Sequence, residues 1–312
     1  TVAAAELRQG SLHLPGAPQA FLADKDRNGC IVSEFAQSTP EGPQLMEWAS
    51  RLCALGERSC DELRYWEGHK ARDGETFAAQ LRRQLQEDLE SMREMLVEEA
   101  GLGAVEAARL MDGSKPEQLA LFVECMMRLY TSASGGDASL VSDGLLWSVK
   151  VDVNAPSACT KFHDDLVSMR LVTTLVGDGT VLAPNNAVKW ELYREVPLLG
   201  DSEGGDNAQQ FKAWNERVVS KEFETRAGDA TLMKGGRSAA SHPCLHRAPY
   251  SADCGSARSN RLLITIERIS AKDQADFVEM FNDRKAELAD TANRMHEGLE
   301  KLPVTVLNGF LG

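Results

Sequence analysis

The sequence predicts an α+β chain in which a helical N-terminal half is followed by a double-stranded β-helix (jelly-roll) barrel. Three observations carry that prediction. Apolar residues recur three or four apart between residues 44 and 132, and the period falls to two in short β-branched runs after residue 145. A Ser-, Gly- and Asp-rich stretch at 131–143 separates the two regimes. The expected organisation is a mixed, mainly helical region over 1–135 that packs on the barrel, a β-barrel domain over 145–270, and a C-terminal helix with a truncated strand over 271–312.

At 312 residues the chain is long enough for one large domain or two smaller ones, each with a sizeable core. Its 34 basic and 47 acidic residues leave a formal charge of -13, which argues against a nucleic-acid backbone or an anionic membrane as partner. No run approaches eighteen uninterrupted apolar residues, so no membrane span is expected. Seven scattered cysteines are an odd count in a chain too large to need disulfide staples, which favours a reducing compartment. The chain begins at Thr1, so the natural N-terminus is expected upstream, and cytoplasm and organelle stroma are both compatible.

In the first 40 residues the turn formers Pro15-Gly16 and Asn28-Gly29 flank the short apolar runs Ala20-Phe21-Leu22 and Cys30-Ile31-Val32, so one or two strands are expected. Asp24-Lys25-Asp26-Arg27-Asn28-Gly29 imitates the first half of a calcium loop. Its twelfth position is Phe35, with Glu34 one place early, so a turn is expected rather than a calcium site. Phe77, Leu81, Leu85, Leu89, Met92 and Leu96 then mark one face of a helix within a bundle of about four. The last of these opens at Ser114, Pro116 and Glu117, with Met126 and Met127 as core filling. Strands are expected at 147–153, 171–176, 230–233 and 262–266, separated by Gly, Pro, Asn and Ser turns. Residues 271–300 return to a helix capped by Ser270, with Phe277, Met280, Phe281, Leu288 and Met295 facing inward.

Chemistry concentrates in the barrel. In His163-Asp164-Asp165 an imidazole and a carboxylate two residues apart share a face if the backbone is extended. A second imidazole arrives at His246. Two His and one carboxylate on adjoining strands form a facial triad that leaves coordination positions open and suits Fe(II), which makes the barrel a metal-binding domain. A 2-oxoacid cosubstrate needs a cation for its far carboxylate, and Arg261 is the first candidate, because Arg261, Leu263 and Thr265 alternate toward the barrel interior. Arg258 is the second candidate and Arg170 the third. Cys159, Cys244 and His242 offer another outcome, since thiolates favour zinc and a fourth protein ligand would close the sphere. At the end of the chain, residues 302–312 read as a buried strand entering the first four positions of a phosphate-binding loop. The Lys and hydroxyl residue of such a loop are missing, so this chain is not expected to hydrolyse nucleotide.

Cys159-Thr160-Lys161-Phe162-His163-Asp164-Asp165, Arg170-Leu171-Val172-Thr173-Thr174, Gly177-Asp178-Gly179-Thr180, Gly228-Asp229-Ala230-Thr231-Leu232-Met233-Lys234-Gly235, His246-Arg247-Ala248-Pro249 and Arg261-Leu262-Leu263 together resemble the domain-of-unknown-function family eighteen twenty-six, over about residues 20–268 and most strongly from 155 onward. The barrel blocks are also similar to 2-oxoglutarate oxygenases of the prolyl-hydroxylase type. That resemblance implies that His163, Asp165 and His246 hold iron and Arg261 the cosubstrate, although the stretch between His246 and Arg261 is longer than in that pattern. The last eleven residues are similar to the start of CobW-type metallochaperone GTPases, which implies a fusion to such a domain and a role in zinc homeostasis. Two functions follow as expectations. One is an Fe(II)/2-oxoglutarate-dependent oxygenase acting on a small molecule or protein. The other is a non-catalytic zinc-binding module serving the attached GTPase.

Overall fold

The computed structural model describes residues 21, 27–56, 66–68, 77–98, 103–110, 114–134, 145–153, 159–194, 207–238, 240, 242–250 and 261–270. The chain divides into two compact units, Thr1–Arg268 and Ile269–Gly312. Of the second, Ile269 and Ser270 are described, as the end of a strand. The expected helix at 271–300, the GTPase-like strand at 302–312, the first three residues of the calcium-like turn and Arg258 lie outside the described residues.

Among the described residues, five helices precede residue 134: α1 (Phe35–Ser38), α2 (Gly42–Gly56), α3 (Phe77–Glu98), α4 (Ala104–Leu110) and α5 (Lys115–Ala133). On α3, Leu81, Leu85 and Leu89 are buried while Arg83 and Glu87 form an exposed pair, as a four-residue apolar spacing requires. Met126 is fully buried on α5 with Phe122 and Leu119. Ser114 precedes α5 with φ −82° and ψ −19°, already helical, so its hydroxyl does not cap a backbone N–H. Its Oγ instead accepts from Gln118 Nε2 at 3.4 Å. Trp48 Nε1 donates to Leu110 O at 2.9 Å and ties α2 to α4.

Strands β1 (Gly29–Val32), β2 (Trp66–Gly68), β3 (Leu145–Val153), β4 (Met169–Val176), β7 (Ala230–Lys234) and β9 (Leu262–Ser270) form a six-stranded sheet in the order β1-β7-β4-β9-β3-β2. Strands β5 (Val181–Leu182), β6 (Phe223–Glu224) and β8 (His246–Arg247) form a second sheet in the order β6-β5-β8. The pairs β1–β7, β2–β3, β4–β7, β4–β9, β5–β6 and β5–β8 are all antiparallel. Mixed helix and antiparallel sheet is therefore the observed class.

Alternation sorts the side chains of the large sheet. Leu171 and Leu175 of β4, Leu232 of β7 and Ile264 and Ile266 of β9 join the helix residues Leu45, Leu119 and Phe122 in one apolar core. The intervening residues Val172 and Met233 instead pack with Leu182 of the small sheet, Ile31 and Cys244. The two sheets thus share an interior. Behind the small sheet, Val181 and Leu245 pack with Trp214 and Val218 of α7 (Asn207–Val218), and with Trp190, Leu192 and Tyr193 of α6 (Trp190–Arg194). Tyr130 Oη on α5 donates to Met169 O at 2.9 Å, which fixes the helical layer to the first residue of β4.

Candidate metal centre

The interior holds the three residues singled out from sequence. His163 and His246 form an isolated antiparallel bridge, each backbone N donating to the other's carbonyl at 3.0 Å. Directly opposed residues project to the same side of a sheet. The two rings accordingly lie 4.5 Å apart by centroid. His246 also pairs with Leu182, whose side chain faces the interior, so both imidazoles face it too. Asp165, two residues beyond His163, completes a group whose ligand atoms all lie within 4.8 Å of one another.

Backbone contacts fix this geometry. Asn215 on α7 accepts from Phe162 N at 2.8 Å and donates to Thr160 O at 2.8 Å and Tyr250 Oη at 2.6 Å, clamping the segment that delivers His163. The turn carrying Asp165 is held by Gly236 N to Asp165 O at 2.8 Å and Arg237 N to Val167 O at 3.2 Å. Glycine is required at 235, where a Cβ would come within 2.3 Å of Val167 O and 2.4 Å of Asp165 O. Asp164 turns away: Tyr193 Oη donates to its Oδ1 at 2.5 Å and accepts from its backbone N at 3.2 Å. Burial, followed by the Asp164 carboxylate, pushes the Tyr193 phenol up.

The donor atoms are prepared for a cation. His163 Nδ1 lies 2.8 Å from Lys161 O and His246 Nδ1 lies 3.2 Å from Cys244 O. A carbonyl accepts only from a protonated nitrogen, so in the tautomer that makes these bonds Nε2 carries the free lone pair. Asp165 Oδ2 is buried without a hydrogen-bond partner, and His246 Nε2, 3.2 Å away, has no proton to donate in the tautomer whose Nδ1 donates to Cys244 O. Its Oδ1 pairs with Arg170 Nη1 at 2.6 Å. Burial pushes the Asp165 carboxyl up, but His246, Arg170 and His163 outweigh it and hold the group at about 2. An anionic oxygen and two imidazole nitrogens converging on one point fit a divalent first-row metal.

Other residues weighed from the sequence are placed differently. Cys244 is buried among Ile31, Val172, Leu182 and Met233, and burial with the Asp165 charge pushes its thiol to about 12. It behaves as a small core residue. His242 stacks on Trp190, with centroids 4.2 Å apart and planes at 10°. Cys159 is exposed and its thiol is lowered, first by a hydrogen bond with His163 against burial, but it is not one of the three converging residues. Arg170 is committed to Asp165 and to Glu267, with Nε donating to Glu267 Oε2 at 2.7 Å. Arg261 is 7 % exposed, and its Nη2 donates to Thr180 Oγ1 at 2.8 Å and Thr174 Oγ1 at 3.2 Å. Burial lowers the guanidinium to about 10 against the attraction of Asp152, Asp178 and Glu224, so it is cationic at neutral pH. Sequence reasoning did not single out Asn215, Tyr193 or Glu267. Their partners are 29 to 97 residues distant, and no local spacing signals such contacts.

Among the described residues, no helix is long and apolar enough to cross a membrane. Comparison with solved structures finds likeness to the dioxygenase for auxin oxidation 1 of Arabidopsis thaliana in complex with 2-oxoglutarate, at 10% identity, TM-score 0.36, covering 82% of this chain and 88% of that one. The Fe(II)/α-ketoglutarate-dependent dioxygenase TqaL matches at 10% identity and TM-score 0.39, over 86% of this chain and 88% of its own. A Pseudomonas putida prolyl-4-hydroxylase matches at 13% identity and TM-score 0.34, over 80% and 96%. No curated protein sequence matches. The family model described as "Protein of unknown function (DUF1826)" matches residues 61–267, about two thirds of the chain, and the protein belongs to that family.

Proposed function

We propose that the protein is an Fe(II)/2-oxoglutarate-dependent oxygenase built on a double-stranded β-helix, with His163, Asp165 and His246 as iron ligands and Arg261 as the cosubstrate anchor. The observation that carries this reading is that a nitrogen of each imidazole and a carboxylate oxygen of Asp165 lie within 4.8 Å of one another, with Asp165 Oδ2 buried and without a hydrogen-bond partner. Three protein ligands leave positions open for small molecules, unlike the closed sphere of a structural zinc site. Iron with 2-oxoglutarate supplies oxygen activation coupled to decarboxylation of the 2-oxoacid.

The chain's own residues provide the rest. Strand order supports the barrel reading: β7-β4-β9-β3 in one sheet face β6-β5-β8 in the other, with the His163 segment bridged to β8. Thr180, which holds Arg261, lies two residues before Leu182, the partner of His246. Arg261 and His246 thus meet the same short segment, residues 180–182, which supports Arg261 as the group that takes the far carboxylate. Arg261 would receive the far carboxylate bidentately, and the threonine hydroxyls hold its plane in place. Val172, Leu182 and Met233 line the same interior and exclude water from the bound diacid.

The test is a titration of the metal-free chain with Fe(II) and 2-oxoglutarate under nitrogen, read by visible absorption. A charge-transfer band that His163→Ala abolishes is expected. Tightly bound zinc with no such band overturns the oxygenase and favours the metal-handling module.

A further inference from the structure

The sheet register brings a second carboxylate to the candidate metal centre. Arg170 on β4 and Glu267 on β9 are direct cross-strand partners, so their side chains share the interior face with Asp165. One guanidinium separates the two acids. Its Nη1 is 2.6 Å from Asp165 Oδ1, and its Nη2 is 2.5 Å and its Nε 2.7 Å from Glu267 Oε2. Both acids are largely shielded, with side chains 12% and 16% exposed.

We infer that Arg170 is a positioning residue that sets how many carboxylates reach the ion, occupying Oδ1 of Asp165 and holding Glu267 off the metal. This rests on the proposed metal reading and deepens it. The charge balance explains the need. Two ionised carboxylates a guanidinium's width apart in a shielded interior repel one another unless a cation lies between them. If Arg170 is removed, the strongest remaining partner for both is the divalent ion itself. Glu267 then becomes a fourth protein ligand, and a position needed by a small molecule closes. Arginine suits the task because its planar fork pairs with two acids at once, whereas a lysine ammonium is a single point charge. The pair therefore preserves a two-His, one-carboxylate set in a place where the fold supplies two carboxylates.

The experiment compares wild type, Arg170→Met, Arg170→Lys and the double variant Arg170→Met/Glu267→Gln by Co(II) titration. The dissociation constant is measured by chelator competition and the coordination number by d–d band intensity, with 2-oxoglutarate then added to each Co(II) complex. Arg170→Met is expected to bind Co(II) at least about 10-fold tighter and to lose most of the spectral response to 2-oxoglutarate. Arg170→Lys should move the same way by a smaller factor, which keeps the test decisive if the methionine variant does not fold. The double variant should return both readouts to near wild type. Equal behaviour of Arg170→Met and the double variant overturns the role of Glu267. Weaker Co(II) binding by folded Arg170→Met reduces Arg170 to a support for Asp165 and also overturns the inference. Failure of the metal reading looks different: wild type itself takes up no Co(II), and both ideas fall. Uptake that His246→Ala abolishes, with the Arg170 variants unchanged, removes only this one.

Discussion

The two faces of the six-stranded sheet are made by the same strands and are chemically opposite. Toward the helices, β4 and β9 present Met169, Leu171, Leu175, Leu262, Ile264 and Ile266, all within one apolar core. Toward the small sheet, the alternate positions present Arg170, Val172, Thr174, Leu263, Thr265 and Glu267, and Arg261, just before β9, reaches Thr174 on the same side. The period of two lets one strand serve stability and chemistry without compromise, since a substitution at one position leaves its neighbour's surroundings intact. Few interiors tolerate such charge. This one does because each guanidinium is matched, Arg170 by two carboxylates and Arg261 by hydroxyls with Asp152 near enough to act on its charge.

Substitutions on each face test whether this division holds. The largest effect is expected from Leu171→Ala, which empties a fully buried helix-facing site and should cost about 2–5 kcal/mol in denaturant unfolding. Co(II) affinity of the remaining folded protein should stay within about twofold; a parallel loss would mean that the faces are not independent. His246→Ala comes next, with metal affinity reduced by more than about 100-fold and little change in the stability of the metal-free protein. Stoichiometric metal retained by this variant would remove His246 from the centre. Arg261→Met should weaken 2-oxoglutarate binding about 10- to 30-fold by calorimetry while leaving the metal in place. Unchanged binding would send the search for the anchor elsewhere. The smallest effect distinguishes neighbours on opposite faces. Thr173 Oγ1 is buried on the helix side without a hydrogen-bond partner, whereas Thr174 Oγ1 accepts from Arg261. Thr173→Val should therefore stabilise by about 0.5–1 kcal/mol, and Thr174→Val should not; a destabilised Thr173→Val would mean that the hydroxyl has a partner such as an internal water.

What could be read from sequence followed the length of the signal. The spacing of Phe77 through Leu96 coincides with helix α3, and the expected strands at 147–153, 171–176, 230–233 and 262–266 fall inside β3, β4, β7 and β9. Strands β5, β6 and β8 are two residues each, too short for any period to register, and helix α7 offered too few apolar residues to stand out. The grouping of His163, Asp165 and His246 was legible where the spacing is local: His163 and Asp165 are two apart, and His246 sits opposite His163 across a backbone bridge. The Arg170–Glu267 pair was not, because strand register places those residues together across 97 positions of sequence. Sequence chose Asp165 over Asp164 by the two-residue alternation alone, and the structure adds what holds Asp164 away. Tyr193, from a helix beyond β5, takes Asp164 out of contention.

The reciprocal bridge between His163 and His246 makes closing the small sheet and assembling the donor set a single event. On the proposed metal reading, an ion arriving at the folded chain would meet both imidazoles already in register. Thermodynamic linkage then runs the other way as well: each tenfold rise in free metal above the dissociation constant adds about 1.4 kcal/mol to the stability of the sheet that carries it. On that reading the melting temperature of the protein would report metal supply, and starvation for metal would be felt first as loosening of the fold.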